Sequence, residues 1–246
     1  MKAQFNILDT VDSTNNYAMG RISDGLAQNG EAWFTYEQTQ GRGQMGKSWN
    51  SERSENLLMS IIIKPNPPIF ENIFHFNACI SIIVRGFIQN FVEEPVFIKW
   101  PNDIYISDRK AGGMLIENRF QGKEWNWSVI GLGINVNQKK FDSEFQAVSL
   151  STLSNKKHDP ETLARSLHQE IIACLSSGAF SDMDEAIKRY NGYLYKKNEK
   201  VKLMIHDTNH ICKIIGVCND GMLKIEVEGR INKVRNGEIV WQNIER

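Results

Sequence analysis

Short apolar runs in the first 136 residues of the chain predict a series of β-strands. These runs are residues 5–8, 32–36, 57–63, 96–98, 104–106, 114–116 and 127–136. The run at residues 57–63 is nearly continuous, which is typical of a strand that is covered on both faces. The pattern therefore predicts a β-sheet with other elements packed against it.

Apolar residues at helical spacing alternate with the predicted strands and indicate four helices. They are a helix that follows the capping run Asp12-Ser13-Thr14-Asn15 and carries Tyr17, Met19 and Ile22, a helix over residues 73–91, a helix from Asp159-Pro160 through Leu175, and a helix over residues 183–194. The polar run before the first helix and the Asp-Pro pair before the third favour a helix start. We therefore expect helices packed on the sheet.

The pattern changes after residue 196, where short strands follow one another without helices. The predicted strands are residues 201–203, 212–217, 222–227, 231–234 and 239–241. The hairpin signals between them are Asn219-Asp220-Gly221, Glu228-Gly229 and Asn236-Gly237. We predict an α/β (α+β) fold in which residues 1–196 form a mixed β-sheet flanked by helices and residues 197–246 form a small SH3-like β-barrel.

Composition narrows the functional class. The chain has 246 residues with 29 Lys+Arg and 29 Asp+Glu, so it lacks the basic excess that nucleic-acid binders normally show. Its 4 cysteines are scattered without a C-x-x-C pair, which is typical of reduced thiols. No signal-peptide core follows Met1, and Arg85 and Gln89 interrupt the most apolar helix. We expect a cytoplasmic protein that binds neither nucleic acid nor membrane.

The glycine-rich loop, residues 41–49, reads Gly-Arg-Gly-Gln-Met-Gly-Lys-Ser-Trp. Its three glycines allow a close approach of the backbone to a ligand. Its N–H groups can form an anion nest, and Arg42 and Lys47 add charges that suit phosphate. A plain surface turn explains this segment equally well when it is taken alone.

A second informative segment consists of residues 99–103, Lys-Trp-Pro-Asn-Asp, and residues 109–113, Arg-Lys-Ala-Gly-Gly. It places Lys110 beside a glycine pair just before an apolar run. Together with the glycine-rich loop, it indicates a site for a nucleotide phosphate and a second, partly apolar molecule.

Two weaker patterns carry no function. The Gly-x-Gly of residues 131–133 lacks the third glycine and the following helix of a dinucleotide-binding fingerprint. His206 and His210 are four apart in a strand-rich region, where that spacing does not place them on one helical face, so we do not predict a metal site there.

Five motifs in fixed order resemble those of the biotin–protein ligases. They are residues 12–16, residues 37–43 with Trp49, residues 99–103, residues 109–113 and residues 131–137. The resemblance covers essentially the whole chain and implies the mixed sheet and small barrel of that family. Some members carry an amino-terminal DNA-binding module. Because the catalytic motifs begin close to Met1, we expect this chain to be a form without that module.

The resemblance implies a two-step reaction. The biotin carboxylate attacks the α-phosphate of ATP to give biotinyl-5′-adenylate and pyrophosphate, with Mg²⁺ accompanying ATP. A lysine of a biotin carboxyl carrier protein domain, which is part of a biotin-dependent carboxylase, then attacks the activated carbonyl and displaces AMP. Neither step needs a nucleophile from the enzyme, so the enzyme has to hold two anions together and neutralise the developing charge.

The same resemblance assigns roles to individual residues. The catalytic residues are Lys110, between the biotin carboxylate and the α-phosphate, and Arg42. The predicted biotin-binding residues are Ser13, Thr14, Asn15, Gln38, Gly41, Arg42, Gly43, Gln44, Trp49, Lys110, Gly112 and Gly113. The predicted ATP- and adenylate-binding residues are Arg42, Lys47, Trp49, Asn102, Asp103, Lys110 and Asn135, with Asp103 also meeting Mg²⁺ through the phosphates.

Each residue type also has an ordinary structural explanation: Ser13 as a helix cap, Trp49 as a core residue and Asn102-Asp103 as a turn. The family often has basic residues where this chain has Gln44 and Met45, so we expect weaker retention of the anionic adenylate.

Two other functions stay open. A lipoate–protein ligase shares the fold and the adenylation chemistry but needs a narrow apolar tunnel. A non-catalytic biotin-binding regulator would retain the fold without catalysis, although Lys110 and Arg42 are both present. The sequence also leaves open whether the chain acts alone or as a homodimer.

Overall fold

The computed structural model describes residues 3–65, 70–142 and 146–242, so the last four residues of the predicted barrel lie outside the described residues. Seven strands form the first sheet: β1 (Phe5–Val11), β2 (Ala32–Gln38), β3 (Asn56–Ile63), β4 (Val96–Lys99), β5 (Asp103–Ile106), β6 (Arg109–Gln121) and β7 (Glu124–Asn135). Their order is β1-β2-β3-β7-β6-β5-β4. β1 and β2 are parallel and the other neighbours are antiparallel, so the predicted mixed sheet is confirmed.

Five helices accompany this sheet: α1 (Thr14–Ser23), α2 (Ile73–Gln89), α3 (Leu150–Ser154), α4 (Pro160–Ser176) and α5 (Met183–Gly192). All four predicted helices are present, and α3 is an additional short one. The Asp159 carboxylate caps α4 by accepting from the N–H groups of Glu161 and Thr162. Ser13 occupies the N-cap position of α1 but its hydroxyl makes no capping bond. Within the described ranges, the helices are too short or too polar to cross a membrane.

The central strands β2, β3 and β7 of the first sheet pack against other elements on both faces. On one face, Trp33, Ile62 and Val129 pack against Ala18 and Ile22 of α1. The alternate positions of the same strands point to the opposite face and join the main core with residues of α2 and α4. All eight residues of β3 are buried, as the apolar run predicted.

A second sheet follows α5. Its strands are β8 (Lys200–Ile205), β9 (Thr208–Val217), β10 (Leu223–Val227), β11 (Arg230–Val234) and β12 (Ile239–Gln242), in the order β11-β10-β9-β8-β12. All neighbouring pairs are antiparallel, and the five predicted strands are confirmed. The predicted boundary after residue 196 lies between α5 and β8 and stays a prediction.

The turns of the second sheet explain its register. Glu228 and Gly229 have φ values of 49° and 76°, the positive values of a tight hairpin turn. His206 and Asp207, with φ values of 46° and 62°, form a turn between β8 and β9 that the sequence did not signal. His206 therefore lies in a turn and His210 in β9.

The two sheets share one hydrophobic core. Tyr190 of α5 is fully buried in the cluster that also contains Ile98 of β4 and Leu203 of β8. The indole N–H of Trp100 donates to the Gly221 carbonyl oxygen at 3.0 Å. The second sheet is therefore part of the structural support of the β4–β5 region.

Candidate functional site

A cavity of about 2050 Å³ is lined by residues of both sheets. This volume exceeds that of most small-molecule pockets, which hold about 300–1,000 Å³. The predicted site residues line it, with the exceptions of Gly41 and Gly112. A Cβ on Gly112 would lie 3.0 Å from the Gly133 carbonyl oxygen, and one on Gly41 would meet the Trp49 carbonyl group. These two glycines therefore serve close packing of the backbone.

Three glycines form the floor of the cavity. Gly131 and Gly133 are two residues apart in β7, and Gly133 is paired with Gly113 of β6, so all three share one face of the sheet. A Cβ on Gly133 would lie 2.6 Å from the Trp49 ring, and a Cβ on Gly113 would lie 2.9 Å from Asp103 Oδ1.

On Gly131, a Cβ would collide with the Asn15 side chain. Asn15, Trp49 and the Asp103 carboxylate therefore lie directly over glycines. Gly131 and Gly133 belong to the motif at residues 131–137 but were not predicted as site residues. The signal that they share a face is their spacing of two within an apolar strand.

The start of α1 forms the polar end of the cavity. The Asn15 amide donates to the Leu115 carbonyl oxygen at 3.1 Å and to Glu117 Oε2 at 2.8 Å. The Ser60 hydroxyl lies 2.6 Å from Asn15 Oδ1. Gln38 Oε1 accepts from the Thr14 N–H group at 2.8 Å. These bonds fix the orientation of the amide groups before any ligand binds.

Ser13 differs from its neighbours because its hydroxyl is buried and has no hydrogen-bond partner among the described residues. The indole N–H of Trp49 is likewise buried and has no hydrogen-bond partner among the described residues. Both side chains line the cavity. A buried polar group without a partner costs about 1–3 kcal/mol, so each is suited to a polar atom of a ligand.

The glycine-rich loop closes on itself. The Gly43 N–H donates to the Lys47 carbonyl oxygen at 2.6 Å, the Lys47 N–H to the Gln44 oxygen at 3.1 Å, and the Trp49 N–H to the Gly41 oxygen at 2.9 Å. These three N–H groups are therefore occupied within the loop, and the predicted anion nest does not hold for them.

Arg42 forms a two-pronged contact with a carboxylate. Its guanidinium nitrogens lie 2.9 Å and 3.2 Å from the two Glu117 oxygens, and one of them donates to Asn16 Oδ1 at 2.8 Å. Because Glu117 also accepts from Asn15, this ion pair connects the base of the glycine-rich loop to the polar end of the cavity.

Lys110 lies in a strand at an irregular position. The pairing of β5 with β6 shifts register beside it, so that Tyr105 opposes Lys110 while Ile104 opposes Gly112. Such bulges redirect side chains near functional sites. The Lys110 ammonium is 2.8 Å from Asp103 Oδ1 and 5.4 Å from the centroid of the Trp49 ring. The predicted cation therefore stands over the glycine floor and is held by a carboxylate.

Two predicted amide residues support this strand. The Asn135 amide donates to the carbonyl oxygens of Lys110, at 3.1 Å, and Val148, at 3.3 Å. The Asn102 amide donates to the Met114 carbonyl oxygen. The two side-chain amides therefore fix the backbone of β6 at Lys110 and at Met114.

Lys99 lines the cavity, although it was predicted only as part of the motif at residues 99–103 and not as a site residue. Its ammonium donates to the Tyr105 hydroxyl at 3.1 Å and lies 4.5 Å from the Tyr105 ring centroid and 4.9 Å from that of Trp241. Burial lowers the pKa of Lys99 to about 8, with Asp103 opposing this shift and Lys110 and Lys47 adding to it. The available signal was a lysine at the end of the apolar strand β4.

Lys47, Lys99 and Lys110, the cationic cluster, are close enough for the charges of Lys47 and Lys110 to act on Lys99, and the Asp103 carboxylate pairs with Lys110. This excess of positive charge suits a polyanion such as a nucleotide triphosphate. The polar end at α1 and the cationic cluster are connected by the glycine floor.

Comparisons with known proteins identify a matching family and similar structures. Residues 7–135 match the model of the biotin/lipoate A/B protein ligase family. The bifunctional ligase/repressor BirA of Escherichia coli K12 is 29% identical over 244 residues, which are 98% of this chain and 74% of that protein. The biotin–[acetyl-CoA-carboxylase] ligase of Mycobacterium tuberculosis is 22% identical over 96% of this chain and 88% of its own length.

A solved structure matches the whole fold. The biotin protein ligase from Aquifex aeolicus, in complex with biotin and ATP, superposes with a TM-score of 0.79 and 26% sequence identity. The match covers 99% of this chain and 100% of that chain. The resemblance inferred from the five motifs is thereby confirmed.

Proposed function

The chain belongs to the biotin/lipoate A/B protein ligase family, and on this basis we propose that it activates biotin as biotinyl-5′-adenylate and transfers it to a lysine of a biotin carboxyl carrier protein domain. One observation carries the proposal. The Lys110 ammonium stands over the glycine floor, with the polar end at Ser13 and Asn15 on one side and Lys99 on the other. This arrangement fits a polar ligand head at α1 and phosphates at the cationic cluster.

The chemistry follows from charge. In the first step the biotin carboxylate oxygen bonds to the α-phosphorus while pyrophosphate leaves, which brings two anions together. The Lys110 ammonium, oriented by Asp103 at 2.8 Å, offsets their repulsion and the charge that builds in the transition state. In the second step the carrier amine attacks the biotinyl carbonyl and AMP leaves, so no covalent bond to the enzyme is needed.

The residues fit a Mg²⁺ ion that arrives with ATP. Mg²⁺ in nucleotide sites is usually held by one or two carboxylates together with phosphate oxygens. Asp103 offers one carboxylate beside the cationic cluster, and the described residues contain no group of three or more His, Cys, Asp or Glu side chains that could hold a metal alone. The bound ion would supply further neutralisation of phosphate charge.

The polar end of the cavity favours biotin over lipoate. The ureido ring of biotin donates and accepts hydrogen bonds, and Ser13 offers a buried hydroxyl without a partner in the described structure. A dithiolane ring would leave that hydroxyl unpaired. The alternative, a lipoate–protein ligase, is therefore the weaker reading of this pocket.

Exchange of labelled pyrophosphate into ATP tests the proposal directly. We expect exchange that depends on biotin and not on lipoate. Exchange with lipoate alone would identify a lipoate–protein ligase. Biotin binding without any exchange would identify a non-catalytic regulator.

Replacing Ser13 with alanine should weaken biotin binding by about tenfold, because a hydrogen bond is worth up to about 1.5 kcal/mol. The melting temperature should stay the same or rise, because the Ser13 hydroxyl has no partner in the described structure. Titration calorimetry and a thermal melt measure both effects.

Ser60→Ala is the matched control for Ser13→Ala. The Ser60 hydroxyl lies 2.7 Å from Thr14 Oγ1 and 2.6 Å from Asn15 Oδ1, so its loss should lower both biotin affinity and stability. A Ser13→Ala variant that loses stability but binds biotin normally would contradict the role of the hydroxyl.

The pH dependence of the KM for ATP should follow the protonation state of Lys99. Its ammonium is charged below its pKa of about 8 and becomes neutral as the pH rises through that value. The KM for ATP should therefore rise by about tenfold or more between pH 7 and 9.5, because a hydrogen bond to a charged group contributes about 1.5–3 kcal/mol. A Lys99→Arg variant stays charged over this range and should abolish the rise. A rise of equal size in the variant would exclude Lys99 as its source.

A further inference from the structure

The tip of the glycine-rich loop contacts the second sheet. The Asn236 amide donates to Gln44 Oε1 at 3.1 Å. The Met45 methyl carbon lies 2.9 Å from the position that a Cβ on Gly237 would occupy. All four residues line the same cavity, so the contact joins two of its walls.

Local backbone geometry produces this contact. The loop tip is a single tight turn in which Met45 has a φ of 55°, and its base is closed by the bonds of Gly43 and Trp49. Gly237, in the turn between β11 and β12, has a φ of 96°. Glycine accepts this conformation without strain, and its missing side chain leaves room for Met45.

The chain that follows this turn, strand β12, also lines the cavity. Trp241 of β12 lies against the Lys99 ammonium, at 4.9 Å from ring centroid to nitrogen. Thus the segment from Asn236 to Trp241 contacts both the loop tip and the cationic cluster. Because Gln44 and Met45 are uncharged, they offer an anionic ligand no ion pair. They can still contribute to its retention by keeping the loop in place.

We propose that Asn236 and Gly237 form a latch that holds the glycine-rich loop against the second sheet and so slows the departure of the adenylate. The retention role rests on the proposed ligase function, whereas the latch itself does not. Asn236 and Gln44 are positioning residues in this proposal, because they act through the loop and not on the reacting atoms. A single exposed hydrogen bond between neutral amides corresponds to a factor of about two to ten in an equilibrium.

Hydrogen exchange in the ligand-free protein tests the latch without any assumption about catalysis. The amides of Gly43, Lys47 and Trp49 are bonded within the loop, so their exchange reports on local unfolding of the loop, which its contact with the second sheet opposes. In Asn236→Ala they should exchange about fivefold faster than in the wild type. Asn232→Ala is the matched control, since the Asn232 amide donates to the nearby Arg230 carbonyl oxygen. Equal exchange in both variants would overturn the latch.

Release of preformed biotinyl-adenylate tests the retention role. We expect release to be about fivefold faster from Asn236→Ala and unchanged from Asn232→Ala. In Gln44→Glu/Asn236→Lys an ion pair replaces the amide contact and should slow release relative to either single variant. If the loop exchanges faster while adenylate leaves at the wild-type rate, the retention role is wrong. A protein that forms no adenylate refutes the ligase function instead, and the exchange result still decides on the latch.

Discussion

Lys110→Ala should reduce biotin-dependent pyrophosphate exchange by about 10²–10³-fold, because removing one group that stabilises transition-state charge typically costs that much. The Lys110 ammonium lies 2.8 Å from Asp103 and over the glycine floor between the two ends of the cavity. The fold should survive, since the side chains of this ion pair are 31% and 29% exposed and such pairs contribute about 1 kcal/mol or less. Exchange rates and a thermal melt measure the two effects.

Lys157→Ala provides the matched control for this substitution. Lys157 is 79% exposed and lies 3.8 Å from Glu55, so it has an ion pair but is not among the residues that line the cavity. Its loss should leave exchange unchanged. If Lys110→Ala retains an exchange rate close to that of Lys157→Ala, the charge-neutralising role is refuted.

Most strands and helices could be predicted from the spacing of apolar residues, because the burial of their side chains is periodic. The run that became β3 is apolar at six of its eight positions as a consequence of being covered on both faces. The apolar pattern did not predict elements whose side chains are not buried at regular intervals. β6 extends from Arg109 to Gln121, well beyond the predicted residues 114–116, because its outer part pairs with β7 while remaining largely exposed. The five-residue α3 is too short to show a helical period.

The site could be predicted in its residue types but not in its geometry. The motifs placed Lys110 and Asn15 in one site, yet nothing local indicated that Asn15 lies over Gly131. The contacts of Trp241 with Lys99 and of Asn236 with Gln44 join residues that are far apart in the chain. Such pairs depend on how the second sheet docks on the first, which the sequence pattern of either sheet does not encode.

Gly131→Ala should lower kcat/KM for biotin by about 10²-fold, since displacement of a positioning group by about 1 Å can cost that factor. The added Cβ would collide with the Asn15 side chain. Asn15 has no easy escape, because it is bonded to Leu115, Glu117 and Ser60. The collision should also cost about 1–3 kcal/mol of stability, so the kinetics must be measured below the melting transition.

Two further variants separate lost binding from lost stability in Gly131→Ala. Gly86→Ala in α2 places a Cβ where no atom lies within 4 Å, so it should keep full activity and gain about 0.5–1 kcal/mol of stability. The double variant Gly131→Ala/Asn15→Ala removes the collision but also the bonds of Asn15 to Leu115, Glu117 and Ser60, so its melting temperature should match that of Asn15→Ala alone. It should still use biotin poorly, because the Asn15 amide is gone. If the double variant instead recovers wild-type kcat/KM, Asn15 has no part in biotin recognition and the polar end of the cavity must bind something else.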